Sequence, residues 1–379
     1  MNNKKSKRVI RTFSLASFLN DMGSDIIYPL WPIFVTEILK ANMTVLGFID
    51  GLGEAIVSIS QAISGYLSDK IGKRKVFIWV GYLLGAISRV GYALSSSWIH
   101  LIPFKVMDRF GKIRGSPRDA MVSEVSNKKN RGKNFGILRL MDNLGAVVGI
   151  ILSILLISFL NYRTLFMLAA IPSFISSILV LSLIKDRKTS KKEKHRFAIR
   201  NFSKDFKIFL LLSSIFSLAS FSYSFMLVYS KRFFPGNIIP IFYLLFTVVA
   251  MASSLPFGKL ADRIGRKNVV RISYLLFGLM CIGFILVKSY YWLFFLFILY
   301  GLHLGSYVPA QKALVSELSP KGLKASGLGV YQMFVGLLAL PASLIAGFLW
   351  DNLGANSPFY LSFVLTLISL IILEFLRKD

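Results

Sequence analysis

The stretch GYLSDKIGKRK at residues 65–75 returns as GKLADRIGRKN at residues 258–268, an offset of 193 positions. A second pair of segments keeps that offset, since AMVSEVS at residues 120–126 returns as ALVSELS at residues 313–319. Self-similarity at one fixed offset is the signature of an internal duplication. We therefore predict that the chain contains two copies of one structural unit.

The composition indicates a membrane protein. The 379 residues are 55% hydrophobic and 17% charged, whereas an average soluble domain is about 45–50% apolar. The charges lie between long apolar runs, and a chain of this length divides into about twelve spans of about 20 apolar residues with short connections. We therefore expect an all-α polytopic membrane protein. The expected helices are 12–37, 43–68, 76–96, 98–121, 134–160, 163–184, 208–230, 237–258, 269–287, 290–316, 325–350 and 357–376.

The longest polar stretch, KDRKTSKKEKHRFAIRNFSK at residues 185–204, separates the sixth expected span from the seventh. This predicts an amino-terminal six-helix bundle at 1–185, a cytoplasmic linker at 186–206 and a carboxy-terminal six-helix bundle at 207–379. Because six spans separate the two repeated loops, both loops lie on one membrane face. The repeat is then parallel, about a pseudo-two-fold axis along the membrane normal.

The chain carries 45 Lys and Arg against 18 Asp and Glu, a net charge of +27. In a soluble protein such an excess would suggest a nucleic-acid partner, but here most of the basic residues fall in loops on one side of the expected membrane. The positive-inside rule then places both termini in the cytoplasm and the protein in the cell membrane. Attraction of these loops to anionic lipid is compatible with that placement. The basic residues on the opposite side are Lys40, Arg163, Lys231, Arg232 and Lys288.

Both copies of the repeated loop resemble the motif G-x-L-a-D-r-x-G-r-K, which joins helices two and three in the major facilitator superfamily of secondary transporters. The resemblance implies the fold of that superfamily, two six-helix bundles that transport a small molecule by alternating access without a cofactor. The segments NDMGSDIIYPLWPIF at 20–34 and SPRDA at 116–120 also resemble a poorly characterised group of archaeal and bacterial permeases in it.

The resemblance assigns the loop residues to a cytoplasmic gate. In the family, the aspartate of the first loop helps to latch the two halves, and Asp69 holds that position here, with Arg114 or Arg118 as its expected partner. The alternative is a static set of surface charges. The residues expected in the gate are Gly65, Asp69, Gly72, Arg74, Arg118, Glu124, Arg131, Gly258, Asp262, Gly265 and Arg266.

Two family motifs are altered in this chain. The fourth-helix motif R-x-x-Q-G has Lys105 at its arginine and Asp108 at its glutamine. The fifth-helix antiporter motif has Ala146 where the family has proline, which weakens an antiport interpretation.

Acidic residues within the spans are not evenly shared between the two halves. Each ionisable group costs about 2.5–3.5 kcal/mol at the centre of a membrane helix and so needs a cavity or a partner. The residues 193 positions further on are all uncharged, which predicts that the first half carries the titratable groups. The acidic residues are Asp21, Asp25, Asp50, Glu54, Asp108 and Asp142, and their counterparts are Ser214, Leu218, Tyr243, Thr247, Gly301 and Val335.

Two carboxylate pairs at i,i+4 spacing, one on helix one and one on helix two, are predicted to face a shared interior. Like charges at this spacing oppose joint ionisation, so a member of such a pair could bind and release a proton. We expect Asp25 and Glu54 to be the proton carriers, with Asp21 and Asp50 beside them. The alternative is a fixed ion pair or a position near the membrane interface.

Basic and aromatic residues within the spans are candidates for substrate contacts. Arg139 lies three residues before Asp142 and could either pair with it or bind an anionic group through its planar guanidinium. The other substrate-binding candidates could equally serve packing or internal hydrogen bonds. They are Tyr28, Trp31, Arg89, Lys105, His303 and Tyr307.

These patterns favour a secondary active transporter, with a small-molecule substrate, H⁺ and the lipid bilayer as partners. Proton-linked efflux of amphipathic compounds and proton-linked uptake of an organic anion both remain open, as does a non-transporting membrane sensor. We expect neither an enzyme nor a metal or cofactor site, because no nucleotide-binding motif is present and the one Cys and three His are scattered. We expect a monomer that binds no nucleic acid.

Overall fold

The computed structural model describes residues 3–127, 130–186, 202–320 and 324–376, and it describes only the backbone of residues 3–5, 62, 66, 69, 324 and 325. The described residues form helices and the turns between them, without a strand. Most of the predicted linker at 186–206 lies outside the described residues.

Fourteen helices of seven or more residues follow one another in this part of the chain. They are α1 (Asn3–Ile27), α2 (Met43–Ile71), α3 (Lys75–Leu94), α4 (Trp98–Phe110), α5 (Gly115–Val125), α6 (Arg131–Leu156), α7 (Tyr162–Leu183), α8 (Lys204–Ala219), α9 (Ser224–Ser230), α10 (Ile239–Ile264), α11 (Arg266–Leu286), α12 (Tyr290–Leu318), α13 (Lys324–Leu353) and α14 (Ser357–Glu374). Shorter helical turns cover Trp31–Ile33, Phe34–Ile38 and Gly111–Arg114.

Each of the twelve expected spans corresponds to a helix or to a pair of consecutive helices. Within the described residues, ten segments are long and apolar enough to cross a membrane, and the segment at Lys204–Ser230 joins α8 and α9. The expected spans at 12–37 and 98–121 are not among the ten. The first contains Asp21 and Asp25 on α1, and the second is divided by the Gly111–Arg114 turn and carries several charges.

The chain divides into two compact units. Unit 1 comprises Met1–Lys40 and Ile56–Lys194, and unit 2 comprises Ala41–Ala55 and His195–Asp379. The first part of α2 thus packs with unit 2. The predicted boundaries at 185 and 207 stay a prediction.

In unit 1, α1 packs against α6 and α7, and α3 packs against α7. Glycines allow the close approach of α6 to α1, because a Cβ at Gly145 would overlap the carbonyl of Phe18 and a Cβ at Gly149 would overlap that of Met22. Small residues at helix contacts are the usual means of close packing in membranes. A buried apolar cluster of the same unit includes Phe13 on α1.

In unit 2, α12 packs against α10 and α11, and α14 packs against α8 and α11. The first part of α2 lies close to α13, where a Cβ at Gly47 would overlap the Ser343 carbonyl and one at Gly347 would overlap the Met43 carbonyl. The Asp351 carboxylate, on α13, accepts hydrogen bonds from Met43 N at 3.1 Å and Thr44 N at 2.8 Å. It therefore caps the amino end of α2.

Candidate functional site

Helix α1 ends at Ile27, ahead of Pro29 and Pro32, whose missing N–H groups interrupt the helical hydrogen bonds. The turns that follow bring two aromatic rings of unit 1 against cations of α4. The Arg109 guanidinium lies 5.2 Å from the ring centre of Tyr28, and Lys105 Nζ lies 4.0 Å from that of Trp31. Trp31 also packs on Tyr92, with ring centres 4.9 Å apart. The substrate-binding candidates Tyr28, Trp31 and Lys105 thus lie together.

Arg89, a further substrate-binding candidate, is 2% exposed on α3. Its Nη2 donates to Ser24 Oγ at 2.7 Å and to the Asn20 carbonyl at 3.1 Å, and its Nη1 donates to the Ala169 carbonyl at 3.4 Å. These acceptors belong to α1 and α7, so the guanidinium joins three helices. Gly23 leaves room for it, because a Cβ there would lie 2.7 Å from Arg89 Nη1.

The altered fourth-helix motif places buried charges next to one another. Asp108 is buried, and its Oδ2 lies 3.6 Å from Arg109 Nε. Lys105, one turn earlier, is 3% exposed. Lys105 is therefore one helical turn from Asp108, and Arg109 lies next to Asp108 and one turn from Lys105 in this part of α4.

Arg118 and Asp142 form the second charged group of unit 1. Arg118 Nη1 donates to Ser17 Oγ at 2.6 Å and lies 3.6 Å from Asp142 Oδ1. Ser17 Oγ is in turn 3.1 Å from the Tyr82 hydroxyl. Arg139 Nη1 lies 3.8 Å from Asp142 Oδ2, but the Arg139 side chain is 69% exposed. The local pair of Arg139 with Asp142 is therefore present, and Arg118 is the more buried of the two cations.

The four carboxylates of the predicted stripes belong to different units. Asp21 and Asp25 lie on α1 in unit 1, where Asp25 is buried and Asp21 Oδ1 accepts a hydrogen bond from Asn20 Nδ2 at 2.9 Å. Asp50 and Glu54 belong to unit 2, where Asp50 is buried and Glu54 is exposed. A shared interior for the four, and proton carriage by Asp25 and Glu54, stay predictions.

The Asp50 carboxylate accepts hydrogen bonds from serines at the break between α8 and α9. Its Oδ2 accepts hydrogen bonds from Ser222 Oγ at 2.7 Å and Ser224 Oγ at 2.5 Å. These serines lie at the interruption of the seventh predicted span, which the sequence reading treated as continuous. The site therefore includes two residues that the sequence analysis missed.

His303 and Tyr307, the candidates on α12, lie in an aromatic cluster of unit 2. His303 is 1% exposed, and its Nδ1 lies 2.8 Å from Ser273 Oγ. The Tyr307 hydroxyl is 3.2 Å from that of Tyr331, which donates to Gln311 Oε1 at 2.7 Å. The stacked or tilted rings around them are those of Phe216, Tyr274, Phe277 and Tyr300.

The first repeated loop joins α2 to α3. Gly72 has a φ of 71°, which favours glycine, and its N–H closes α2 on the Ser68 carbonyl at 3.0 Å. Arg74 forms an ion pair with Glu124 on α5. Asp186 Oδ1 accepts from the backbone N–H of Arg74 and of Lys75 at 3.0 and 2.8 Å, and so caps α3.

The other described gate candidates of the first half lie at different places in unit 1. Gly65 lies near Ser116, since a Cβ there would be 3.5 Å from Ser116 Cβ. Arg114 Nη1 donates to the Gly111 carbonyl at 2.9 Å, and Arg131 is exposed at the start of α6. The side chain of Asp69 lies outside the described residues, and its predicted pairing with Arg114 or Arg118 lies there too.

The second repeated loop reproduces the turn of the first. Gly265, at the position of Gly72, has a φ of 89°. Arg266 lies 3.3 Å from Asp262 Oδ1 and also pairs with Glu317, which occupies the position of Glu124. A Cβ at Gly258 would meet no described atom within 4 Å. In both copies, then, a loop arginine pairs with the glutamate of the second repeated segment.

Comparison with known proteins supports the same fold. The sequence model of the Major Facilitator Superfamily matches residues 13–242 and 234–379. An uncharacterised MFS-type transporter of Methanocaldococcus jannaschii is 38% identical over 99% of this chain and 96% of its own length. The multi-drug resistance efflux pump PmrA of Streptococcus pneumoniae is 23% identical over 93% of this chain and 91% of its own.

Among solved structures, a crystal structure of a mutant of the nucleoside transporter NupG superimposes with a TM-score of 0.83. It has 15% sequence identity and covers 98% of this chain and 100% of NupG, which shows the shared fold alone. The expected all-α, multi-pass transporter architecture is thus confirmed. The chain belongs to the Major Facilitator Superfamily of membrane transporters.

Proposed function

We propose that this transporter is a proton-coupled exporter of small amphipathic compounds that works by alternating access between two halves. We further propose that it is a monomer in the cell membrane with both termini in the cytoplasm. It catalyses no chemical reaction on its substrate. The observation that carries the proposal is the set of buried acidic groups in unit 1, Asp25, Asp108 and Asp142. A buried carboxylate in a membrane transporter is a natural site for a coupling proton.

The Arg118–Asp142 pair supplies a second reason. When Asp142 takes up a proton, its attraction for Arg118 falls, and Arg118 keeps its hydrogen bond to Ser17 on α1. Proton binding would therefore change how tightly α6 is held to α5. A ligand that binds one state more tightly than the other shifts the population toward it, and here the proton is that ligand.

The preference for amphipathic substrates rests on the aromatic side chains around His303 and Tyr307. Aromatic walls with a few polar groups are typical of sites for such compounds. The efflux-pump relative is consistent with this direction of transport. We assign Asp25 and Glu54 as proton carriers, and Tyr28, Trp31, Lys105, His303 and Tyr307 as substrate contacts.

Uptake of an organic anion is the second candidate. It is favoured by the buried cations of unit 1, Arg89 and Lys105, and by the partly buried Arg109. Arg89 donates to four neutral oxygens, two of Asn20 and one each of Ser24 and Ala169, and none of these acceptors is a carboxylate. An anionic substrate could balance the positive charge of Arg89.

Gating is proposed for the two repeated loops. Each loop has a left-handed glycine and an arginine paired to a glutamate, Arg74 with Glu124 and Arg266 with Glu317. Each pair is open to solvent through at least one side chain, since Glu124 is 36% exposed and Arg266 and Glu317 are 35% and 34% exposed. Pairs screened by solvent are individually weak, about 0–1 kcal/mol. They can therefore break and reform as the transporter changes state.

The proposal is tested with purified protein in liposomes under an imposed pH gradient. Ethidium serves as the cationic amphipathic probe and carboxyfluorescein as the anionic one. We expect the gradient to stimulate ethidium transport, and Asp25→Asn and Glu54→Gln each to remove most of that stimulation. If the gradient speeds carboxyfluorescein transport and has no effect on ethidium transport, the uptake alternative is favoured. If the gradient stimulates ethidium transport in both variants as much as in the wild type, the carrier assignment is refuted.

A further inference from the structure

A cavity of about 550 Å³ lies in unit 1 between the amino-terminal parts of α1 and α6. The two helices run in the same direction, because Gly145 packs on Phe18 and Gly149, four residues on, packs on Met22, also four residues on. Their amino ends therefore lie at one end of the unit. The volume is within the range of about 300–1,000 Å³ that small-molecule sites occupy, and no residue assigned above to transport or gating lines it.

The lining changes from cationic to apolar along the helices. Lys7 and Arg11 on α1 and Lys133 on α6 lie toward the amino ends. Ile137 and Met141 follow Lys133 at intervals of four residues, so they lie on the same face of α6 and about 6 and 12 Å further along it. The cavity therefore has a charged end and an apolar end, as an amphiphile has.

The positive charge of this cavity is not balanced from within. Its lining, among the residues that the structure describes, contains no carboxylate. A second basic cavity of about 330 Å³, in unit 2, differs in this respect, because Glu317 lines it and pairs with Arg266 while Glu374 binds Arg271 at 2.8 Å. Only the first of these two cavities thus offers its cations to an anion from outside the chain.

One buried hydroxyl points to the same conclusion. Ser14 lines the cavity one turn beyond Arg11 and is 5% exposed. Its Oγ has no hydrogen-bond partner among the described residues. A buried polar group is normally hydrogen-bonded, so a ligand oxygen would satisfy it.

We propose that this cavity binds an anionic phospholipid, with the headgroup phosphate at Lys7, Arg11 and Lys133 and the start of an acyl chain along Ile137 and Met141. Basic side chains near the membrane surface attract anionic headgroups, and the apolar wall gives a reason to favour a lipid over a soluble phosphate. The site is independent of the transported substrate and of proton coupling.

Native mass spectrometry of delipidated, detergent-purified protein tests the proposal. The protein is titrated with phosphatidylglycerol and, separately, with phosphatidylcholine, and the association constant of the first bound lipid is measured. We expect phosphatidylglycerol to bind at least tenfold more tightly, and Lys7→Gln/Arg11→Gln/Lys133→Gln to abolish that preference. The matched control, Lys204→Gln/Lys207→Gln/Lys259→Gln, removes three exposed cations elsewhere and should change the constant by less than twofold.

A second variant keeps every charge. Ile137→Trp fills the apolar part of the cavity and should weaken phosphatidylglycerol binding at least threefold. Equal losses in the two triple variants would show a general charge effect and overturn the proposal, as would unchanged binding in Ile137→Trp. Displacement of the lipid by 10 mM glycerol 3-phosphate would overturn it in favour of a soluble phosphate ligand.

Discussion

One position of the repeat shows how the two units differ. Arg118 in unit 1 and Gln311 in unit 2 are 193 residues apart and each contacts the next helix of its unit. Arg118 lies 3.6 Å from the Asp142 carboxylate, whereas Gln311 accepts a 2.7 Å hydrogen bond from the Tyr331 hydroxyl. The same place in the fold is thus filled by an ion pair in one unit and by neutral groups in the other.

The difference extends through both interiors. Unit 1 buries Arg89, Lys105 and Asp108, whose counterparts 193 residues on are Ile298 for Lys105, Gly301 for Asp108 and Ile282 for Arg89. Unit 2 instead surrounds His303 and Tyr307 with aromatic rings. One duplicated scaffold can therefore hold different chemistry in its two copies, because packing fixes the scaffold while single side chains set the chemistry.

The largest effect is expected when unit 1 is made to resemble unit 2 at this position. Arg118→Gln leaves the buried Asp142 without its nearer cation, and breaking a buried ion pair costs about 3–5 kcal/mol. We expect a large loss of thermal stability in detergent and at least a tenfold loss of gradient-driven ethidium transport. Thermal unfolding and liposome flux measure the two effects.

The double variant Arg118→Gln/Asp142→Asn is the control for the ion pair. It removes both charges, so most of the stability should return while gradient stimulation stays absent. If the double variant is no more stable than Arg118→Gln alone, the pair does not hold Asp142 as described.

A smaller effect is expected at the contact of α1 with α6. The position 193 residues after Gly149 is Ala342, so Gly149→Ala copies unit 2. A Cβ at Gly149 would overlap the Met22 carbonyl, and overpacking of this kind costs about 1–3 kcal/mol. Gly136→Ala on the same helix, where a Cβ meets no described atom within 4 Å, should change the unfolding temperature little. Equal effects of the two substitutions would contradict the close α1–α6 approach.

The smallest effect is expected in the neutral network of unit 2. Tyr331→Phe removes the hydrogen bonds to Tyr307 and Gln311, at about 0.5–1.5 kcal/mol each. We expect a modest fall in unfolding temperature and an unchanged pH profile of ethidium transport, because no charge is altered. Tyr360→Phe, at an exposed tyrosine of α14, is the matched control. A shifted pH profile in Tyr331→Phe would place titratable chemistry in the Tyr307–Tyr331–Gln311 network, contrary to this account.

The sequence predicted most of the helices because a long apolar run marks a membrane span. The two expected spans that are not apolar enough by this measure, 12–37 and 98–121, contain charged residues. The sequence also identified Gly72 and Gly265 as equivalent positions of the repeated loops, but their positive φ was seen only in the structure. The loop arginines pair with Glu124 and Glu317. Both glutamates lie in the second pair of repeated segments, at 120–126 and 313–319, which the sequence had already identified.

Contacts between residues far apart in sequence could not be predicted. Asp50 was recognised as a buried acid, but its serine partners are 172 and 174 residues away at a helix break without a proline. The neutral acceptors of Arg89 and the capping of α2 by Asp351 depend in the same way on tertiary packing. Local patterns identify which groups need a partner, and the fold decides which partner they receive.

Proton movement that accompanies ethidium movement tests most directly whether Asp25 carries the coupling proton. Liposomes that contain the protein and the trapped pH indicator pyranine are given an ethidium gradient, and the internal pH is recorded. We predict a protein-dependent pH change in the wild type and in the control Asp205→Asn, which removes a half-buried carboxylate at the start of α8. We predict none in Asp25→Asn, although Asp25→Asn still exchanges ethidium. A pH change of wild-type size in Asp25→Asn would contradict the account.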